Sequence, residues 1–183
     1  MFKVKELIKG VYELIPNIHQ DNRGLFIKTF HYDEFKKIGL DTNFKEEYYS
    51  ISKKNVLRGM HFQLPPFDHN KMVYCIYGKV LDVIVDIRKN SDTFGKVISL
   101  ELSSEKANIV YISKGFAHGF YTLSNKAIMV YKTSTVYNPK FDTGILWNSI
   151  NFKWLNNNPI ISKRDSEFES IKKFYKKKNI YVK

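Results

Sequence analysis

Cysteine is nearly absent from this 183-residue chain. Cys75 stands alone, so no internal disulfide can form and no cysteine cluster can hold a metal. That usage suits a reducing compartment, and a cytoplasmic protein is expected. Long apolar runs are also missing. No stretch approaches the roughly 20 residues a membrane span needs, and Met1 to Gly10 is charged where a signal peptide would be apolar, so neither a membrane nor an export role is expected. Arginine is scarce. Only Arg23, Arg58, Arg88 and Arg164 occur among 30 basic residues. Because only guanidinium offers a bidentate fork to phosphate, each of the four is a candidate for a specific role. Acidic residues number 18, which leaves a net charge of +12. Lys172, Lys173, Lys176, Lys177, Lys178 and Lys183 concentrate part of that excess in a basic tail from about residue 166, and the other lysines are scattered. No zinc-finger spacing or RNA-binding signature accompanies them, so a nucleic-acid partner is not expected. A basic excess also attracts small phosphorylated anions.

What the chain has is aromatic and β-branched content in short runs. Aromatic residues make up 15% of it, and its length suits one domain with a sizeable core. The pattern predicts strands over Val11–Ile15, Leu25–Phe30, Tyr48–Ser52, Val56–Phe62, Met72–Ile76, Lys79–Ile87, Val97–Leu102, Asn108–Ile112, Gly119–Leu123 and Ala127–Thr135. Turn-forming residues separate them at Asp21-Asn22-Arg23-Gly24, Pro65-Pro66, Tyr77-Gly78 and Ser124-Asn125. Alternation is clearest at 80–87, where Leu81, Val83, Val85 and Ile87 share one face and Val80, Asp82, Ile84 and Asp86 the other. Helix is expected only at Asp33–Ile38 and at Ser166–Lys177, with Ser166 as N-cap and Glu169 in the third helical position. Many short strands in a chain of this length predict an all-β sandwich of jelly-roll type with a few short flanking helices.

Three segments carry unusual chemistry on such strands. The first is Leu57-Arg58-Gly59-Met60-His61-Phe62-Gln63-Leu64-Pro65-Pro66, followed by Lys71. Strict alternation places Arg58 with Phe62 on one face and His61 with Leu57 on the other, and Gly59 permits a close backbone approach. The second is Gly115-Phe116-Ala117-His118-Gly119-Phe120, and the third is Tyr131-Lys132-Thr133 with Tyr137 beyond it. Taken singly, each fits a packed β-protein as well as an enzyme.

Together with Asp21-Asn22-Arg23-Gly24, Asp82 to Arg88 and Ser162-Lys163-Arg164-Asp165, they run in the order of a known pattern. From about residue 8 to about 170 the chain resembles the dTDP-4-dehydrorhamnose 3,5-epimerase family, which has a cupin-type jelly roll. The resemblance implies epimerisation at carbons 3 and/or 5 of a nucleotide-diphosphate 4-keto sugar, in bacterial surface-polysaccharide synthesis. It implies His61 as general base, Asp165 as its carboxylate partner, Lys71 as enolate stabiliser and Tyr131 as the acid on the opposite face. Arg23 and Arg58 would bind the diphosphate, His118 and Tyr137 would line the pocket, and the protein would be a homodimer.

No cofactor is expected, because no hydride moves and no carbonyl needs a Lewis acid. Metal-binding cupins place a second histidine two residues after the first, and Gln63 stands there, so no metal is expected. The chain departs from the family at the nucleotide end, with His19 near the first turn, Lys28 after it, and Glu46 and Tyr48 where Gln and Asn are usual. These four are taken as substrate-binding candidates. A carboxylate at 46 can accept from the two donors of guanine, so a GDP-4-keto-heptose stands beside dTDP-4-keto-6-deoxyglucose as substrate. A sugar-nucleotide-binding jelly roll without catalysis is the alternative.

Overall fold

The computed structural model describes residues 2–177. Thirteen strands follow in order: β1 Phe2–Ile8, β2 Val11–Pro16, β3 Ile18–Asp21, β4 Gly24–Ile27, β5 Glu46–Lys53, β6 Leu57–Gln63, β7 Lys71–Tyr77, β8 Lys79–Asp86, β9 Val97–Ser103, β10 Ile109–Ile112, β11 Phe116–Thr122, β12 Lys126–Thr133 and β13 Asp142–Gly144. Helix α1 (Tyr32–Lys37) precedes β5, and α2 (Lys163–Ser166) and α3 (Ile171–Lys177) follow β13. One six-stranded sheet has the order β1-β2-β10-β7-β12-β5, and a five-stranded sheet has the order β13-β6-β11-β8-β9. The hairpin β3–β4 stands apart from both. The architecture is the expected jelly-roll sandwich.

Period-2 alternation divides the apolar residues into three layers. Val73, Cys75, Val80, Ile84, Leu102, Val110, Phe116, Phe120 and Met129 meet between the two sheets. The other face of β8 and β11, carrying Val83, Val85, Ala117 and Tyr121, packs under Trp147, Ile150, Trp154 and Phe174 from the C-terminal segment. Leu14, Met72, Tyr74 and Tyr111, on the outer face of the six-stranded sheet, are covered by Phe35 of α1 and by Leu40. The alternation read at 80–87 therefore holds, and both of its faces are buried because β8 lies between the inter-sheet layer and the C-terminal cover. Each large side chain fully withdrawn from water contributes about 1.5–3 kcal/mol, so these layers carry the fold.

Three local expectations are corrected. β1 was not foreseen, because Lys3, Lys5 and Glu6 give it an open, charged edge and a weak apolar period. In place of one helix over Ser166–Lys177 there are two short ones, Lys163–Ser166 and Ile171–Lys177. Ser162, not Ser166, caps the first of them by accepting from the Asp165 amide, and residues 167–170 form the break before α3. Lys178 and Lys183 of the expected basic tail lie outside the described residues.

On β6 strict alternation fails. His118 of β11 pairs with His61, but Phe120 pairs with Arg58, so three steps on β6 oppose two on β11. This bulge resets the alternation. Leu57, Met60 and Phe62 all join the covered outer layer, whereas Arg58 and His61 reach the same cavity. The backbone that Gly59 accommodates is that of Gly119: a Cβ on Gly59 would stand 2.6 Å from the Gly119 Cα.

Candidate active site

At one end of the inter-sheet layer the inward positions turn from apolar to polar. They line a cavity of about 370 Å³, within the range of sites for small organic ligands. Each wall is built by the same alternation that builds the core. On β5 the even-numbered residues Glu46, Tyr48 and Ser50 face it. Lys71 opens the inward face of β7, Tyr131 and Thr133 extend that of β12, and Arg58, His61 and His118 come from the five-stranded sheet.

His61 Nε2 lies 2.9 Å from Asp165 Oδ1, and the Gly59 amide donates to Oδ2 at 3.1 Å. Burial alone would raise the Asp165 carboxyl, but the His61 ring and the Gly59 amide hold it below the usual carboxylate range. An ionised carboxylate only accepts, so Nε2 carries the proton and Nδ1 is left as the basic nitrogen. The ring is 31% exposed, which keeps it in reach of solvent protons.

Lys71 is 7% exposed. Burial lowers its pKa to about 8, against the raising influence of Asp82 and Asp142. His118 Nε2 lies 2.8 Å from Asp82 Oδ2, and burial lowers the histidine despite that partner. Tyr131 is 6% exposed, and burial raises its phenol far above the ordinary range. Its hydroxyl is 3.1 Å from Ser50 Oγ. Tyr48 stacks on its ring. Arg58 donates from Nε to Ser52 Oγ at 3.0 Å.

The structure thus brings together His61, Asp165, Lys71, Tyr131, Arg58, His118, Tyr137, Glu46 and Tyr48. His19, Arg23 and Lys28 lie elsewhere. His19 and Arg23 belong to the exposed β3–β4 hairpin, Lys28 follows it, and none of the three lines this cavity. Arg23 there pairs with its neighbour Asp21 at 2.6 Å. Glu46 Oε2 accepts from the Tyr137 amide at 2.6 Å, so one of its oxygens holds the loop after β12.

Arg164 lines the cavity, is paired with Asp142 and lies over Phe168, and the sequence reading gave it no site role. The scarcity of arginine was the signal. His69 and Asp142 were also missed. Burial and nearby Lys71 lower His69 to about 3, so it is neutral at physiological pH. Gln63, in the position of the second metal histidine, clamps two loops: its amide donates to Phe67 O and Val136 O and accepts from the Asn138 amide.

Residues 5–173 match the family model for dTDP-4-dehydrorhamnose 3,5-epimerase. The chain belongs to that family. It is 42% identical over 165 residues to the dTDP-4-dehydrorhamnose 3,5-epimerase of Shigella flexneri, a match covering 88% of this chain and 91% of the relative. It is 34% identical over 163 residues to the dTDP-4-dehydrorhamnose 3-epimerase of Streptomyces niveus, covering 87% and 79% respectively. Among solved structures, the dTDP-6-deoxy-D-glucose-3,5-epimerase of Legionella pneumophila in complex with dTDP-4-keto-L-rhamnose superposes with a TM-score of 0.90 at 32% identity. That match covers 94% of each chain. Like its relatives, this epimerase-family chain is an isomerase of nucleotide-sugar biosynthesis.

Proposed function

We propose that this protein inverts carbon 3, carbon 5 or both in a dTDP-linked 4-keto-6-deoxy sugar, with His61 and Tyr131 exchanging protons on opposite faces of the ring. The observation that carries this reading is that the two side chains enter one cavity from facing sheets, His61 from β6 and Tyr131 from β12. The ketone at carbon 4 acidifies the neighbouring C–H bonds, because the carbanion delocalises onto oxygen as an enolate. His61, oriented by Asp165, removes the proton. Lys71 supplies the fixed positive donor for the enolate oxygen, an interaction whose removal typically costs about 10²–10³ in rate. Tyr131 returns a proton from the other side, which inverts the centre. Arg58 and Arg164 supply guanidinium groups for the diphosphate. None of these steps requires a redox cofactor.

The exposed β3–β4 hairpin supports the homodimer that the family resemblance implies, with Arg23, His19 and Lys28 reaching the other subunit's cavity. The edge strand β5 exposes Tyr49 and Ile51, and with Ile76 and Tyr77 at the end of β7 they form an apolar surface suited to such pairing. A guanine nucleotide carrying a 4-keto-heptose, for capsule or related polysaccharide synthesis, is the second reading. Glu46 at the cavity supports it, although Glu46 can take both guanine donors only by sharing the oxygen already held by Tyr137.

Incubation in D₂O with dTDP-4-keto-6-deoxyglucose and, separately, a GDP-4-keto-heptose tests the proposal by NMR. Deuterium with inversion at carbon 3 or 5 of the thymidine substrate is expected. Turnover of the guanosine substrate alone would move the assignment to the second reading, and exchange into neither would leave a binding protein without this chemistry.

A further inference from the structure

Tyr131 needs more than presence to protonate one face of a flat enolate. Its hydroxyl must sit at one place, and the ring can swing about its side-chain torsions unless something holds it. Two neighbours on β5 do so. Tyr48 lies directly across the strand pair from Tyr131, and the two rings stack with centroids 4.8 Å apart and planes 13° from parallel. Two residues on, Ser50 faces the same cavity and places its Oγ 3.1 Å from the Tyr131 hydroxyl. The first contact fixes the plane of the ring and the second fixes the direction of its hydroxyl. Offset stacking is the favourable arrangement for two aromatic quadrupoles, so the pair resists rotation of either ring.

We propose that Tyr48 is a positioning residue for proton delivery: its ring, acting with the Ser50 hydroxyl, holds Tyr131 where it can protonate the enolate on the face opposite His61. Tyr48 need not touch the sugar to do this. The inference rests on the proposed roles of His61 and Tyr131 and adds a distinct consequence. Loss of the stack leaves proton removal intact, because His61 and Asp165 lie on the other wall. The enolate still forms, but Tyr131 delivers its proton less often. His61, partly open to solvent, then exchanges its proton with the medium and returns a deuteron to the original face. Exchange without inversion is therefore the signature.

The measurement is the ratio of deuterium incorporated to product inverted at carbon 3 or 5, followed by NMR in D₂O for wild type, Tyr48→Ala, Tyr48→Phe and Ser50→Ala. Displacement of a reacting group by about 1 Å can cost on the order of 10² in rate, so the ratio is expected to rise about tenfold or more in Tyr48→Ala. It should rise by a smaller factor in Ser50→Ala. Tyr48→Phe keeps the stacking ring and should restore the wild-type ratio. Because residue 48 is on a sheet edge and 41% exposed, the folded state is expected to tolerate these changes, and circular dichroism checks it. A ratio unchanged in Tyr48→Ala overturns the inference, as does a parallel fall of exchange and inversion. Tyr48→Phe behaving as badly as Tyr48→Ala would also overturn it, by transferring the role to the hydroxyl. These results leave the epimerase reading standing, whereas a wild type that neither exchanges nor inverts removes both.

Discussion

Replacing Lys71 with methionine separates what the site costs the fold from what it contributes to chemistry. Lys71 is 7% exposed, at an inward position of β7, and burial depresses its pKa from 10.5 to about 8 even with Asp82 and Asp142 nearby. At about 1.36 kcal/mol per pH unit, the charged lysine at pH 7 is roughly 3 kcal/mol less favourable in the folded protein than in the unfolded chain. Methionine keeps most of the stem and carries no charge. That penalty already includes the attraction of Asp82 and Asp142, and the imperfect fit of the new side chain offsets part of the gain, so the unfolding free energy at pH 7 is expected to rise by about 1–3 kcal/mol. The sign with pH follows from the direction of the shift. Between about pH 8 and 10.5 the unfolded lysine still binds a proton that the folded one has released, so wild-type stability climbs across that window. The advantage of methionine shrinks there accordingly. Urea denaturation at fixed protein concentration, at pH 7 and near pH 10, reads both effects. Epimerisation by Lys71→Met should fall by about 10²–10³, and the wild-type rate should decline on an alkaline limb near pH 8. A methionine variant less stable than wild type at pH 7, or an alkaline limb at about pH 10, would refute the reasoning.

Two structural predictions test the frame around the site. Gly59→Ala is expected to destabilise by about 2–5 kcal/mol, since φ is +144° and the new Cβ would stand 2.6 Å from Gly119 Cα; a thermal midpoint lowered by less than about 2 °C would contradict that crossing. Asp86 is fully buried and accepts from Arg88 Nη2 at 2.7 Å, Ser91 Oγ at 2.8 Å and Thr93 Oγ1 at 2.6 Å. Burial would raise its pKa, but Arg88 and the hydroxyls hold it low. Asp86→Asn should lose about 2–5 kcal/mol at pH 7. Because the folded pKa is depressed, the contribution is present above about pH 4, and the gap between variant and wild type should narrow as pH falls below that value. Chemical denaturation at pH 7 and pH 3 measures it.

Much of the sandwich was legible because its strands are short, apolar and regularly interrupted. Residues 80–87 show why: the period of 2 survives in the sequence when each face of a sheet packs against a different layer. The same rule failed on β6, where one additional residue moves Arg58 and His61 onto a common face and sends Leu57 and Phe62 to the other. A bulge is a relation between two strands, and nothing in Leu57–Gln63 alone announces its partner. The His61–Asp165 contact spans 104 residues, so periodicity could not find it, and it came from the order of motifs. Arg164 was flagged by rarity but given no place. Its neighbour Asp142 sits on β13, a three-residue strand too short to register as a pattern. The charged β1 was missed for the opposite reason, since an open edge tolerates lysine where a central strand does not.

The bulge on β6 also leaves the Gly59 amide outside the regular ladder, where it donates to Asp165. One of the groups that orient the proposed base is thus main chain, carried by a residue with no side chain to remove. An alanine scan through Asp165, His61 and their neighbours would describe a site with this donor missing, because side-chain truncation leaves the N–H in place. An amide-to-ester exchange at position 59 is the alteration that deletes it. Inheritance protects this part of the site only indirectly, through the demand for glycine at that spot.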